Sequence, residues 1–247
     1  MSIHKRREST SRIILLTVFG IAMGFLEAVV VVYLRWLYYP EGFMFPLKPM
    51  TLERLSIEYL REISTIVMLL SLSVLAGKNF PERLSFFLYS FGIWDIFYYV
   101  WLKFLLDWPS SLLTWDILFL IPVIWVGPVL APIMCSITMI AIAGCILYFQ
   151  KKGYAVKIGL MEIFCFILGA VIIFATFVWD FSGMIINGNF ISRFSTLAID
   201  PEFREIVSHY IPATYNWYLF ALGEALILLS LLLFCKRSKK YQKRILP

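Results

Sequence analysis

Apolar residues in this chain do not alternate and do not form narrow stripes. They run on for twenty or more positions, broken by short polar stretches. A run of that length, apolar all round, matches the ~20 residues a helix needs to cross a bilayer, and is not the alternating pattern of a membrane β-barrel. The runs predict six spanning helices, at about Ser11–Tyr38, Glu58–Ala76, Leu84–Leu106, Val129–Phe149, Val156–Trp179 and Thr214–Cys235. The stretch from Leu112 is too long to belong to one span. It is expected to hold a re-entrant or partial helix before the fourth, broken at Pro122, Gly127, Pro128 and Pro132. The expected fold is therefore all-α, a polytopic transmembrane bundle forming one integral membrane domain over residues 1–247.

Composition agrees. Of 247 residues 61% are hydrophobic and 15% charged, against about 45–50% and 25% in soluble domains. The net charge is +6, but its placement carries more information. If the N-terminus is cytoplasmic, 15 of the 22 lysines and arginines fall in cytoplasmic segments, including the run Lys236, Arg237, Lys239, Lys240, Lys243 and Arg244. The positive-inside rule then puts both termini inside, and the basic tail against anionic lipid rather than nucleic acid. The run from Ile13 to Leu34 is too long for a cleaved signal peptide and reads as a signal anchor. The outer loops would be 39–57 and 180–213. In the second, Asp200-Pro201-Glu202 marks a helix start, with Asp as cap and Pro at the first helical position, predicting a short helix to about Tyr210. Cys135, Cys145, Cys165 and Cys235 lie in or at the inner end of apolar runs with no CxxC spacing, and read as packing residues.

Ionisable groups within such runs are costly and point to function or to buried pairing. Glu27 lies beside a face of Gly20, Gly24 and Ala28, small residues four apart that let helices approach closely, and Arg35 follows eight residues on. Glu58, Arg61, Glu62 and Thr65 fall at helical spacing on one face; Glu58 and Arg61 are expected to be solvated, Glu62 to face the interior. Asp95, Tyr99 and Lys103 form a stripe with Tyr98 alongside. Asp95 has a cation, a metal, Arg61 or Arg35 as candidate partners, while Lys103 could snorkel outward. Asp116 reads as an acid at a helix start. Asn216 and Glu224 share a face of the last helix. The expected site is an outward-facing pocket of Glu27, Arg35, Glu62, Asp95, Tyr98, Tyr99, Lys103, Asn216 and Glu224.

No nucleotide loop, HExxH, GxSxG or paired-histidine haem motif occurs. His209 and Glu205 are a two-ligand pair at most, a weak metal signal; no metal site is assigned and no cofactor is identified. The absence of an internal repeat counts against the inverted-repeat architecture of many secondary transporters. The pattern fits binding or transport of a small solute or cation from the outer face. It also fits an integral membrane enzyme acting on a lipid-linked substrate at the outer leaflet, with Asp95 or Glu27 as general base, or a non-catalytic subunit whose charges pair internally.

Overall fold

The computed structural model describes residues 3–48, 50–154, 156 and 158–242. Lys157, Lys243 and Arg244 of the basic segments therefore lie outside the described residues. Long helices dominate: α1 Ile3–Tyr38, α2 Leu52–Ala76, α3 Phe80–Leu106, α4 Leu130–Lys151, α5 Leu160–Asn187 and, after the short α6 Pro201–Ser208, α7 Trp217–Gln242. Five of them, α1, α2, α4, α5 and α7, are long and apolar enough to cross a membrane. α3, at 27 residues, has the length, but Asp95, Lys103 and its tyrosines and tryptophans dilute its hydropathy.

Helix starts follow local chemistry. α2 begins six residues before the apolar run because Thr51 caps it, its hydroxyl accepting the Arg54 N–H. α3 begins at Phe80 because Asn79 accepts the Glu82 N–H at 3.0 Å and Pro81 fits the first turn. Asp200 caps α6, accepting the N–H groups of Glu202 and Phe203 at 3.1 and 3.2 Å. α5 continues past Trp179 to Asn187, so Asp180 lies in the helix, not at the start of a loop.

The largest departure from expectation follows α3. No helix forms over 112–128; β1 Trp115–Phe119 and β2 Trp125–Pro128 make an antiparallel hairpin, pairing Trp115 with Pro128, Asp116 with Gly127 and Ile117 with Val126. Pro122 and Pro128 lack the N–H that a helix interior requires. The aromatic and β-branched residues around them suit a pleated strand. A strand edge facing lipid would leave backbone groups unsatisfied, so a hairpin in such a bundle needs protein around it. The hairpin has it, with Trp125 against Phe174 and Phe177 of α5, and Val126 in a core with Phe181.

α1, α2 and α3 pack together, α5 packs on α7, and α4 joins the two groups through α3 and α7. α1 and α3 approach at backbone distance: a Cβ on Gly24 would lie 2.9 Å from the Trp94 carbonyl oxygen. Gly169 and Gly223 do the same for α5 and α7, each facing the other's carbonyl. A 3-10 segment, Phe190–Ile199, and α6 fold over the hairpin end of the bundle. Arg193 links them by ion pairs to Asp200 at 2.7 Å and Glu202 at 3.0 Å.

Candidate functional site

At the hairpin end, α1, α2, α3 and β1 surround a cavity of about 530 Å³. Glu27 and Arg35 come from α1, Glu58, Arg61, Glu62 and Thr65 from α2, Asp95, Tyr98 and Tyr99 from α3, and Asp116 from β1. Above them the walls are apolar: Phe181 and Ile185 of α5, Leu197 of the 3-10 segment, and Phe203 and Val207 of α6. Arg204 of α6 also lines it and donates to the Met50 carbonyl at 3.0 Å.

The α2 residues fall at i, i+3, i+4 and i+7, so one face delivers all four polar groups to the cavity. Arg61 is their hub. It pairs with Glu27 of α1 and, through Nε at 2.9 Å, with Glu58. The Thr65 hydroxyl donates to the other Glu27 oxygen. Glu58 is thus buried and paired, not solvated, because α2 turns this face inward.

Two other carboxylates have no cation in contact among the described residues. Glu62 accepts the backbone N–H of Leu120, at the hairpin tip, through Oε2 at 2.9 Å. Asp95 accepts the Ser136 hydroxyl of α4 through Oδ2 at 2.7 Å. It reaches neither Arg61 nor Arg35. The remaining oxygen of each has no hydrogen-bond partner among the described residues, and both side chains line the cavity. The floor therefore holds Glu27, Glu58, Glu62 and Asp95 against one guanidinium, Arg61. Trp94 and Tyr98 add aromatic surface beside them.

One turn below, Met23 and Leu69 pack against Trp94 in a buried cluster backed by Phe19, Phe87 and Phe91. The lining ends at Glu27, Thr65 and Trp94 and does not continue toward the opposite end of the bundle.

Higher in the cavity Arg35 Nη2 donates to Asp116 Oδ1 at 3.1 Å. Asp116 is not a helix-start acid: its strand position turns it into the cavity, opposite the end of α1. Burial raises its pKa to about 6, and Arg35, the Ile117 N–H and Tyr99 oppose that rise.

Six of the nine expected site residues, Glu27, Arg35, Glu62, Asp95, Tyr98 and Tyr99, line this one cavity. Three lie elsewhere. Lys103 pairs with Asp107 at 2.7 Å and donates to the Asp107 and Pro109 carbonyls, closing the C-terminal end of α3. Eight residues of helix leave it about 80° around the axis from Asp95. Asn216 accepts the Leu219 N–H at 3.1 Å at the start of α7. Glu224 accepts the Thr138 hydroxyl at 2.8 Å, between α7 and α4, in the other half of the bundle. The expected set omitted Glu58, Arg61, Thr65 and Asp116. The spacing on α2 was the signal for the first three. Arg204 had none, because only the fold of α6 brings it over the cavity.

Among the described residues no cluster of three or more histidine, cysteine or acidic side chains is arranged to hold a metal ion. No family model matches the chain, and neither the curated proteins nor the solved structures compared with it gave a match.

Proposed function

We propose that the protein binds, from the outer face of a membrane, a small solute that carries an ammonium group on an apolar body. The supporting observation is the cavity floor, where Glu62 and Asp95 each offer an oxygen without a partner and no cation among the described residues touches either. Ionised carboxylates in apolar surroundings are costly unless a proton or a cation neutralises them. An ammonium supplies the charge and the donors, and Trp94 and Tyr98 supply ring faces that attract cations. The apolar upper walls accept the remainder of the molecule.

In this reading α3 is a sixth span, its polar residues kept from lipid by α1, α2 and α4. The lysine and arginine distribution supports cytoplasmic termini, which opens the cavity outward. The buried cluster of Met23, Leu69 and Trp94 beneath the floor favours binding over passage across the membrane.

Calorimetric titration of the purified full chain in maltoside micelles with hexylammonium tests the reading. It predicts saturable binding, weakened about ten-fold or more in Glu62→Gln and Asp95→Asn, the loss of a charged partner being worth ~1.5–3 kcal/mol. Absence of binding to the wild type, or unchanged affinity in both variants, overturns it.

A further inference from the structure

Arg35 has no role in ammonium binding, yet it is placed with unusual constraint. It sits in the last turn of α1, eight residues and so ~12 Å along the axis from Glu27. The residue is 6% exposed. Its guanidinium carbon lies 3.6 Å from the Trp108 ring centre and 4.6 Å from that of Phe43. These rings fix the plane of the fork. Only one nitrogen, Nη2, meets Asp116. Nη1 is buried with no hydrogen-bond partner among the described residues, and Arg35 lines the cavity. The second oxygen of Asp116, Oδ2, is likewise buried and unpartnered.

A single contact between a guanidinium and a carboxylate leaves the two-pronged geometry unused. Arginine forks take carboxylates and phosphates through two parallel N–H bonds, and a guanidinium held in the corner of two perpendicular rings keeps its orientation before the ligand arrives. Two further cations, Lys48 and Arg204, line the same cavity, whereas Glu62 and Asp95, which have no cation in contact among the described residues, lie at the floor. The cavity is thus electrically polarised, cationic toward Arg35 and acidic at its base.

Resting on the binding reading above, we propose that the ligand is a zwitterion. Its ammonium lies at Glu62 and Asp95, and its oxyanion, a carboxylate or phosphate ester, is received by Arg35. A hydroxyl or N–H beside the oxyanion would satisfy Asp116 Oδ2. The same chemistry occurs in free aminoalkyl acids and in the aminoalkyl phosphate head of a lipid.

Titration of the purified full chain in maltoside micelles with four probes separates the outcomes. They are hexylammonium, hexanoate, 6-aminohexanoate and dihexanoyl phosphatidylethanolamine. One or both zwitterions should bind about ten-fold or more tighter than hexylammonium, and Arg35→Lys, which keeps the charge but loses the fork, should bring them down to its level. A preference for 6-aminohexanoate indicates a free solute, and a preference for the phospholipid a lipid head; either supports the proposal. If hexylammonium binds as tightly as both zwitterions, the inference falls and the binding reading stands. If hexanoate binds and hexylammonium does not, or if no probe binds, the binding reading falls and takes the inference with it. Should Arg35→Lys fail to fold, the wild-type comparison of hexylammonium with the zwitterions decides alone.

Discussion

Glu62 on α2 accepts the backbone N–H of Leu120 at 2.9 Å, tying the tip of the hairpin to a helix 58 residues earlier in the chain. The bond does two things. It satisfies a backbone donor in a turn that carries Pro122 and has few other partners. It also aims the carboxylate along the cavity floor. Glu62→Gln keeps an acceptor for Leu120, so it should lower ammonium binding with little change in thermal stability. Glu62→Leu removes the acceptor as well and should destabilise further, by about 1–3 kcal/mol for the buried N–H left unpaired. Thermal melts of the two variants in the same detergent check the order.

Arg61 joins Glu27 of α1 to Glu58 of its own helix. Removing it leaves two buried carboxylates without their cation. Arg61→Ala should therefore be among the most destabilising single changes, on the order of 3–5 kcal/mol. Glu27→Gln should cost less, because Arg61 retains Glu58 and stays 23% exposed at its side chain. Equal losses in the two variants would show that Arg61 does not serve both acids.

Gly24 holds α1 against the α3 backbone, with space for no more than a hydrogen beside the Trp94 carbonyl. Gly24→Leu should push the helices apart, at a cost of about 1–3 kcal/mol or more for overpacking. Because Glu27 and Asp95 stand on the two displaced helices, it should weaken ammonium binding too. Gly144, which faces open space, is the control: Gly144→Ala should weaken neither.

Asp116 gives a pH dependence with a defined sign. Its pKa in the fold is about 6, above the ordinary 3.8. Between these values the folded protein holds the proton and the unfolded chain does not. Stability from this group is complete below about pH 4 and is lost as the pH rises through about 6. The charged groups around it are Arg35, which opposes the shift, and Asp95, whose own site is affected by Asp116; Tyr99, standing nearby, also opposes the shift. Asp116→Asn should flatten the fall in stability between pH 4 and 6, measured by unfolding at a series of pH values.

Some of this was legible in the residues and some was not. Helix positions were, because a run such as Ile13 to Leu34 has no other folded use. Depth was legible as well: Glu27, Glu62 and Asp95 could be placed at one level by counting from the run ends. Direction around each helix was not. Glu224 lies at a comparable depth but faces Thr138, because α7 packs chiefly on α5 and α4. The hairpin escaped because a short apolar stretch has the same appearance as strand and as buried helix when periodicity alone is read. Its prolines were read as breaks in a helix when they were reasons for having none. Asp116 was misplaced with it, and with Asp116 the partner of Arg35.

The proposed hollow opens to the outer face, and its floor takes an ammonium. Leu120 lines it, and its backbone N–H, not its side chain, holds Glu62. Leu120→Cys should therefore keep the floor intact while placing a thiol on it. In cells or sealed right-side-out vesicles, a membrane-impermeant thiol reagent added outside should label this variant above the wild-type background, and hexylammonium should slow the labelling. Labelling only from the cytoplasmic side, or outside labelling that hexylammonium leaves unchanged, would contradict the account.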